Sequence, residues 1–567
     1  MDNESQLGYL HTLPVEPYKY TTVTRAAKEN ALLRPKQEIF ILRDAGGTRS
    51  SLTNASLYQQ AEHLARYLVT RGVKKGDVVA LVGPNTLEMI IGMLGIMTAG
   101  AVVLNITIST KTVVDLKDKL CLTNVKCMLL DCGSDNNLFL PIKAILQHCN
   151  VQTDSVKEAD RLKLIFMRKM DIKDFQNTDT FETIQLKKLD QVDLPYIFPE
   201  DNALIFMTSG STGKPKMALH SHFSLTSTPF FITDLQVDYG VIVYNDRPFA
   251  WSGGSPVFTI LRGETRVLMN AYITMNSQNT DFLWGILKEE KCTHALLLPF
   301  AIQDLLGLPK TATVDGYKLQ QVATGGQMIN DFHTGIMGQF CHRMMIVYGS
   351  TEATGIAMKV LLDRTKPLDA GDVGHPYPGV EVRVVDPEEI PVKRGVTGQI
   401  QIRSTQLMKE YVGNLELTKE AFTDGRWFRT SDIGKISSDG RMILLGREVD
   451  AISRGTRKIY PGMLEFLLKG FKQIKEVCIV PVPDKRLYEE ICVCFVPSGP
   501  LTLADVQQYC KENLFTENTV DGLGEMPSYF LQFEAFPKLG NGKPDKKAIR
   551  LDAVFRLNLT REDERNN

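Results

Sequence analysis

The segment from Ala203 to Lys216, which reads ALIFMTSGSTGKPK, contains the feature that decides the fold. Its first four residues are an apolar run typical of the end of a buried strand. The loop that follows is rich in glycine, hydroxyl groups and lysine. Glycines let backbone N–H groups approach an anion, and the hydroxyl and ammonium groups add further donors. The segment therefore predicts a phosphate-binding loop after a strand, although an ordinary polar loop has the same composition.

This loop does not match the Walker-type P-loop. That motif needs a glycine five residues before the Gly213-Lys214 pair and a serine or threonine directly after the lysine. Thr208 and Pro215 stand at those two positions. We therefore expect phosphate binding of a different kind.

The composition is that of an ordinary globular protein, with 43% hydrophobic and 23% charged residues. A chain of 567 residues is too long for one core, so we expect several structural units. The net charge of −1 gives no electrostatic reason to expect binding to nucleic acid or to an anionic membrane. Ten cysteines are scattered without a CxxC pair, which favours buried free thiols over a metal site.

One stretch, from Met89 to Thr110, has no charged residue and is long enough to cross a bilayer. Its glycines and its β-branched second half instead predict a buried helix that turns at Gly100 into a buried strand. No transmembrane segment is expected. Neither end of the sequence resembles a targeting signal, so the expected location is cytoplasmic.

Alternation of helices and apolar strands predicts an α/β fold. A helix is expected over Ser56–Gly72, capped at Ser56, and the alternation continues to about residue 360. The charged residues 150–199 indicate an irregular insertion. A smaller strand, strand, helix pattern follows later. We therefore expect a large N-terminal part with mixed or parallel sheets over 1–446 and a small α+β domain over 447–567.

Five further motifs follow the phosphate loop along the chain: YGSTEATG (348–355), GDVGHPYPGVEVRVVD (371–386), GRWFRTSDIG (425–434), GRMILLGREVD (440–450) and KLGNGKPDKKAIR (538–550). Together the six motifs resemble those of the adenylate-forming (ANL) superfamily, in the same order and spacing. That superfamily contains acyl-CoA synthetases, adenylation domains of peptide synthetases and beetle luciferases. The two ends of the chain are most similar to the medium-chain branch, acyl-CoA synthetase family member two.

The resemblance implies an AMP-forming ligase that works in two half reactions. A carboxylate, expected to be a medium-chain fatty acid, attacks the α-phosphate of ATP to give acyl-AMP and pyrophosphate. Coenzyme A then displaces AMP. The implied cofactors and substrates are ATP, Mg²⁺ and coenzyme A. Because one anion attacks another, catalysis should depend on cations and hydrogen-bond donors rather than on a protein nucleophile.

The resemblance also assigns roles to residues that bind ATP. The phosphate loop would close over the β- and γ-phosphates through Thr208, Ser209, Gly210, Ser211, Thr212, Gly213 and Lys216. The adenine would stack on Tyr348 beside Gly349, opposite a wall formed by Gly325, Gly326 and Gln327. Tyr348 has an alternative interpretation as a core aromatic residue.

Three catalytic residues are implied, together with two that hold the ribose. Thr351 would bind the α-phosphate and Glu352 would help to hold Mg²⁺. Asp432 would bind the ribose hydroxyls, with Arg447 nearby. Lys543 would bridge the carboxylate and the α-phosphate. Outside their motifs, Asp432 and Glu352 would be interpreted as acids of a turn or of the surface, and Lys543 as a solvated lysine.

The acid and coenzyme A are assigned to two other segments. Trp251 and Gly254 lie where the resemblance places the acyl pocket or the thiol tunnel, and Trp251 is equally interpretable as a core residue. For the second half reaction the small domain would rotate about a hinge. Its loop would then present Arg454, Gly455 and Lys458 to coenzyme A, alongside Arg457.

The sequence departs from the family pattern at three places. Val449 replaces the Asp or Lys usual at the hinge, Met217 replaces a glycine, and Trp251 replaces a common histidine. Two alternatives to an acyl-CoA ligase stay open at this point. One is an adenylate-forming enzyme with another acceptor, a carrier protein or oxygen; the other is a catalytically silent ATP-binding homologue.

Overall fold

The computed structural model describes residues 7–14, 17–106, 116–131, 163–168, 178–208, 216–227, 240–269, 279–313, 315–327, 329, 331–355, 357–362, 368–455, 457–513, 525–539 and 543–559. Three β-sheets with flanking helices make up this part of the chain. The predicted α/β class is therefore confirmed.

The largest sheet has 14 strands, some parallel and some antiparallel. They are β1 (Tyr9–Thr12), β2 (Glu38–Arg43), β3 (Arg49–Thr53), β11 (Ile242–Tyr244), β12 (Thr265–Met269), β13 (His294–Leu296), β14 (Leu319–Gly325), β15 (Cys341–Tyr348), β16 (Met358–Leu361), β17 (Asp372–Pro376), β18 (Val380–Val385), β19 (Gly398–Ser404), β21 (Phe428–Ile436) and β22 (Met442–Arg447). Their order is β1-β18-β19-β21-β22-β17-β16-β15-β14-β13-β11-β12-β2-β3. The run from β15 to β2 is parallel, so the carboxyl ends of β14 and β15 share one edge.

The second sheet has eight strands in the order β20-β10-β9-β5-β4-β6-β7-β8. They are β4 (Val78–Val82), β5 (Val102–Ile106), β6 (Cys127–Leu130), β7 (Lys163–Phe166), β8 (Thr178–Thr180), β9 (Asn202–Thr208), β10 (Lys216–Ser221) and β20 (Glu410–Tyr411). The central strands are buried on both faces, which explains their continuous apolar sequences.

The third sheet contains only strands that follow Ile452. They are β23 (Ile452–Arg454), β24 (Arg457–Ile459), β25 (Ile474–Asp484), β26 (Tyr488–Pro497) and β27 (Tyr529–Gln532), in the order β24-β23-β26-β25 with β27 beside β26. The predicted strand, strand, helix pattern of this region is present. The boundary at 446/447 and the hinge remain predictions.

Helices flank these sheets. They are α1 (Val23–Leu33), α2 (Asn54–Thr70), α3 (Leu87–Thr98), α4 (Leu116–Leu122), α5 (Phe181–Gln185), α6 (His222–Thr226), α7 (Pro256–Arg262), α8 (Thr280–Glu289), α9 (Pro299–Leu306), α10 (Asp331–Thr334), α11 (Leu415–Ala421), α12 (Pro461–Lys469), α13 (Leu503–Asn513) and α14 (Lys546–Arg556).

The predicted start of α2 was wrong by two residues. The cap is Thr53, whose side chain accepts a hydrogen bond from the backbone N–H of Ser56. Both residues are of the type that caps helices, so composition alone does not decide between them. The predicted end is close, since Gly72 follows the helix with a φ of +82°.

The apolar stretch that begins at Met89 forms the predicted helix and strand. Every residue of helix α3 except Glu88 is buried, and Gly100 turns the chain with a φ of +74° into β5. Residues 107–110 lie outside the described residues. Among the helices that the structure describes, none is both long enough and apolar enough to cross a membrane.

The charged segment 150–199 is not simply irregular. Its described residues include β7 and β8, which add two parallel strands to the edge of the second sheet, and the short helix α5. Short strands at a sheet edge carry little periodicity, so the sequence pattern missed them.

Eight of the ten cysteines lie in the described residues, all of them free. Seven are buried, and Cys121 is exposed. Cys492 and Cys494 lie in β26 as predicted. The described part of the chain contains no cluster of three His, Cys, Asp or Glu residues suited to a metal ion.

Candidate active site

The carboxyl ends of β14 and β15 form one wall of the candidate site. Gly325 pairs with Val347 across these parallel strands. A Cβ atom at Gly325 would lie 2.3 Å from the carbonyl oxygen of Val347, so only glycine fits this close approach. Gly326 follows with a φ of +80° and open space around it. The two segments expected to enclose adenine, 325–327 and 348–349, therefore meet at one edge of the sheet.

Two hydroxyl groups at this edge are buried without a hydrogen-bond partner among the described residues. They are Oγ1 of Thr324, just before Gly325, and Oγ of Ser350, just after Gly349. Buried polar atoms are normally satisfied, and exceptions call for an explanation. A polar ligand at the ends of β14 and β15 would supply the missing partners.

Tyr348 joins this wall to the strand pair β21–β22. Its hydroxyl group donates a hydrogen bond to Oδ2 of Asp432 at 2.6 Å. Asp432 stands opposite Arg447 in the antiparallel register, and Nε of Arg447 lies 3.6 Å from Oδ1 of Asp432. Three residues assigned to the nucleoside end of ATP are thus in mutual contact. The half-buried ring of Tyr348 also packs against the neighbouring core.

Lys543, from the C-terminal part of the chain, lies near enough to Asp432 and Arg447 for their charges to act on its pKa. Its side chain remains accessible to solvent, but the surrounding protein limits its hydration. Loss of hydration lowers the pKa of Lys543, Arg447 lowers it further, and the negative charge of Asp432 raises it. These interactions place the lysine within the electrostatic field of the Asp432–Arg447 pair. Gly540 and Gly542 beside it lie outside the described residues.

The pKa of Asp432 is influenced by several neighbouring groups. Burial raises the pKa of Asp432, and the negative charge of Glu352 adds to the rise. The hydrogen bond from Tyr348 and the positive charges of Arg447 and Lys543 lower the same pKa. The motifs around residues 348, 432, 447 and 543, widely separated in sequence, therefore interact in one place.

Thr351 and Glu352 begin a short 3₁₀ turn, Thr351–Ala353, directly after β15. The backbone carbonyl of Thr351 is held by Nε2 of His220 at 3.1 Å. Burial lowers the pKa of His220 to about 4, so the ring is neutral near pH 7 and donates this bond from Nε2. His220 therefore holds the backbone of Thr351 in place.

Strands β9 and β10 flank the phosphate loop. Thr208 ends β9 and pairs with Lys216, the first residue of β10. The loop residues Ser209, Gly210, Ser211, Thr212 and Gly213 lie outside the described residues, so their roles remain predictions. Met217 is buried against the core of the second sheet. Its side chain fills space there, which explains a large residue where the family pattern has glycine.

The carboxylate of Glu352 is positioned by Tyr411 in β20. The hydroxyl group of Tyr411 donates a hydrogen bond to Oε1 of Glu352 at 2.7 Å. The ring of the same tyrosine lies under Nζ of Lys216, 5.2 Å from the ring centroid. The sequence did not single out Tyr411, because no local pattern relates its segment KEYVGN to Glu352 or Lys216, which lie 59 and 195 positions earlier.

The donor set fits Mg²⁺. Glu352 supplies a carboxylate, a hard oxygen donor. Mg²⁺ in nucleotide sites is typically held by one or two carboxylates, with substrate phosphates and water completing the shell. A single carboxylate beside bound phosphates would therefore be enough to hold Mg²⁺.

The segment Asn245–Gly254, which carries Trp251, is clamped by buried polar side chains. Asn85 donates to the carbonyls of residues 246 and 247, and its Oδ1 accepts from the N–H of Phe249. Asn105 donates to the carbonyl of Phe249. Arg266 donates to the carbonyls of residues 245 and 254 at 2.8 Å each. The loop is therefore rigidly held, and none of these anchors was predicted.

Trp251 is half-buried at the start of the 3₁₀ turn Ser252–Gly254. Gly254 is buried, and a Cβ atom there would lie 2.2 Å from the carbonyl oxygen of Pro248. The glycine is thus required by packing of the loop, whatever space it leaves for a substrate. Whether Trp251 touches the acid remains a prediction.

Replacing Arg266 by methionine should destabilise the fold by about 3 kcal/mol, because breaking a buried charge network leaves groups unpaired. The fully buried guanidinium holds two loop carbonyls, and burial lowers its pKa to about 10. Urea unfolding checks the change in the free energy of unfolding. The matched control is Arg403→Met, which removes a half-exposed pair with Glu381 and should cost at most about 1 kcal/mol. Equal losses of unfolding free energy in the two variants would show that the buried hydrogen bonds of Arg266 stabilise the fold no more than an exposed ion pair does.

The segment assigned to coenzyme A is the hairpin β23–β24. Gly455 adopts a φ of +62° at its tip, and its N–H donates to the carbonyl of Leu487. Arg454 is paired with Glu490, with Nε 2.7 Å from Oε1 in a buried salt bridge. Lys458 is more exposed, 3.7 Å from Glu448. Of the two described cations, Lys458 is the better placed for a phosphate.

Val449 occupies a short 3₁₀ turn, Glu448–Asp450, directly after β22. Its side chain is 65% exposed, so it makes little use of its apolar surface. The neighbouring Asp450 and Glu448 form ion pairs with Lys546 and Lys458. The acids of the turn are therefore tied to the C-terminal part of the chain.

Residues 27–412 match the family described as AMP-binding enzyme. Among curated proteins, the chain is 26% identical to medium-chain acyl-CoA ligase ACSF2, mitochondrial, from Danio rerio, over 97% of this chain and 91% of that protein. It is 24% identical to long-chain-fatty-acid–CoA ligase FadD13 from Mycobacterium tuberculosis strain CDC 1551 / Oshkosh, over 92% of this chain and 97% of that one.

A similar fold occurs in the solved structure of the anthranilate CoA ligase AuaEII in complex with anthranoyl-AMP. The TM-score is 0.78 and the sequence identity 17%, over 95% of this chain and 98% of that one. At this identity the likeness concerns the fold alone. It agrees with the architecture predicted from the six motifs.

Proposed function

The chain belongs to the family of AMP-binding enzymes and is an AMP-forming ligase, and on that premise we propose that it joins a medium-chain carboxylic acid to coenzyme A. The proposed sequence of steps is acid plus ATP to acyl-AMP and pyrophosphate, then acyl-AMP plus coenzyme A to acyl-CoA and AMP. One observation carries the proposal: Asp432 contacts both Tyr348 and Arg447, which brings three residues assigned to the nucleoside together.

In the first half reaction, these residues would hold the nucleoside and bring a cation to the reacting groups. Asp432 is oriented by Tyr348 and Arg447, and would present a carboxylate oxygen to the ribose hydroxyls. Lys543 stands near this pair, where its ammonium would stabilise the carboxylate of the acid against the α-phosphate. When bound, Mg²⁺ would neutralise charge on the phosphate oxygens.

In the second half reaction, we propose that the hairpin β23–β24 receives coenzyme A after rotation of residues 447–567. Gly455 would leave room for the pantetheine arm at the hairpin tip, and the exposed Lys458 would meet a phosphate. Support for coenzyme A as acceptor comes from the family and from both relatives, which are named as CoA ligases.

The choice of a medium-chain acid has two supports. The relative from Danio rerio is named as a medium-chain ligase. In addition, Trp251 is a large half-buried side chain in a loop whose neighbours are small, which suits an acid of limited length. A cytoplasmic location remains a prediction; that same relative is named as mitochondrial.

Mass spectrometry of a single incubation tests the proposal. The protein is mixed with ATP, Mg²⁺, coenzyme A and an equimolar series of acids from acetate to palmitate, with benzoate and anthranilate added. Medium-chain acyl-CoA with stoichiometric AMP is the expected result. Acyl-AMP without acyl-CoA would refute coenzyme A as the acceptor, and aromatic products alone would refute the assigned acid. Formation of neither product would refute the ligase.

Trp251→Ala should shift the preference toward longer acids. Removing the indole lengthens the proposed pocket, and each methylene that finds an apolar surface contributes about 0.8 kcal/mol, so two extra methylenes would favour the longer acid roughly fifteenfold. The measurement is kcat/KM across the acid series. The control Trp284→Phe changes a buried tryptophan whose indole N–H donates to the carbonyl of Ala312. An unchanged profile in Trp251→Ala would exclude this side chain from the pocket.

A further inference from the structure

We propose that Tyr411 is a positioning residue that orients the Glu352 carboxylate toward Mg²⁺ and fixes its position relative to the ammonium group of Lys216. The proposal rests on the proposed function, because it assumes that Glu352 and Lys216 serve MgATP. The same tyrosine side chain contacts both residues, the carboxylate through its hydroxyl group and the ammonium through its ring.

The position of Tyr411 is fixed by the second sheet. It lies in β20 and pairs with Ala218 of β10, two residues beyond Lys216. Its N–H donates to Oγ1 of Thr418, and its side chain is 4% exposed. A buried aromatic ring on a paired strand has few alternative positions, so its hydroxyl group points to one place.

Glu352 is held at both ends by the same short segment. The N–H of Met408 donates to the backbone carbonyl of Glu352 at 2.7 Å, while Tyr411 bonds the carboxylate. Two more backbone bonds fasten this segment to β10, from Lys409 to Leu219 and from Val412 to Met217. The adenylate motif and the strand after the phosphate loop are therefore joined through residues 408–412.

The hydrogen bond from Tyr411 also makes the two carboxylate oxygens of Glu352 different from each other. Oε1 accepts from Tyr411, and within the described part of the chain no hydrogen bond reaches Oε2. A carboxylate with one oxygen fixed and one available is suited to a single metal contact. Outer partners that orient a metal ligand typically contribute tenfold to a hundredfold to metal affinity or activity.

The ring of Tyr411 provides the second part of the link. An ammonium near the face of an aromatic ring is attracted by its quadrupole, and Nζ of Lys216 lies 5.2 Å from the Tyr411 centroid. Hydroxyl group and ring can be tested separately. Tyr411→Phe removes only the hydrogen bond to Glu352, whereas Tyr411→Leu removes the ring under Lys216 as well.

The test measures ATP binding by calorimetry without any acid, with Mg²⁺ and with EDTA. Tyr411→Phe should weaken MgATP binding about tenfold and leave Mg²⁺-free ATP binding unchanged. Tyr411→Leu should weaken both. Thermal melting of each variant reports whether it is folded. The control Tyr317→Phe removes a buried hydroxyl group that donates to the carbonyls of Leu287 and Cys292, and should change neither affinity.

Glu352→Gln provides the distinguishing arm. If Tyr411 acts through Glu352, adding Tyr411→Phe to Glu352→Gln should cause no further loss of MgATP affinity. An additive loss would overturn the proposal, as would an equal loss with and without Mg²⁺ in Tyr411→Phe, because either would indicate a merely structural tyrosine. If the unmodified protein does not bind MgATP at all, the proposed function fails instead, independently of Tyr411.

Discussion

Lys543→Ala should lower the rate of acyl-AMP formation by about 10²- to 10³-fold, the range found when one preorganised charge-stabilising group is removed. The lysine lies near Asp432 and Arg447, where its ammonium would offset repulsion between the attacking carboxylate and the α-phosphate. The half reaction of supplied acyl-AMP with coenzyme A should proceed nearly unchanged. Rapid-quench measurement of pyrophosphate and of acyl-CoA separates the two.

The control for this variant is Lys547→Ala, an exposed lysine four residues away. It should leave both half reactions unchanged. Equal loss of both half reactions in Lys543→Ala would contradict the assigned role, because the lysine would then serve the fold or both conformations.

The same residue predicts a pH dependence. Limited hydration lowers the pKa of Lys543, so its proton is lost at a lower pH than the value of about 10.4 usual for lysine. The charged form is the active one. As the pH rises, the rate of acyl-AMP formation should therefore begin to fall before the pH reaches about 10.4. Lys543→Arg keeps its charge at high pH and should lack this decline.

Gly455→Leu should have the opposite effect, slowing transfer to coenzyme A by about 10²-fold while acyl-AMP forms normally. Gly455 has a φ of +62° at the tip of the β23–β24 hairpin, where a large side chain would fill the proposed path of the pantetheine arm. A non-glycine residue in the left-handed region costs only about 1–2 kcal/mol, so the third sheet should still form. Single-turnover discharge of isolated acyl-AMP by coenzyme A measures the effect.

The control for strain is Gly395→Leu. Gly395 has a φ of +84° in a turn of the large sheet, with open space around its Cα atom. This variant bears the same backbone penalty, but should retain both half reactions. Full coenzyme A–dependent turnover in Gly455→Leu would show that the thiol approaches elsewhere.

The sequence predicted those parts of the fold that depend on local pattern. The buried helix, the turn at Gly100 and the strand after it follow from a run of apolar residues with a glycine. Likewise, the apolar runs of β25 and β26 were recognisable as strands. The edge strands β7 and β8 were missed, because they are short and charged sequence surrounds them.

The motifs assigned Tyr348, Asp432 and Arg447 to one site, and the structure brings these three residues together, while their roles remain predictions. Other contacts could not be predicted. Tyr411 contacts Glu352, 59 residues earlier, and Arg266 contacts backbone carbonyls 12 and 21 residues earlier. Neither residue lies in a periodic or motif-like context. Arg454 looked like a free cation in a basic loop. Its partner Glu490 lies 36 residues further along, on a strand whose register only the folded sheet fixes.

The clamp on residues 245–254 has a consequence for how chain length would be measured. Asn85, Asn105 and Arg266 hold this loop by its own backbone before any acid arrives. Binding then costs little ordering entropy on the protein side, and an acid that is too long finds no wall that yields. The fall in kcat/KM with increasing chain length of the acid should therefore be steep and nearly independent of temperature, because a rigid loop does not adapt to longer acids.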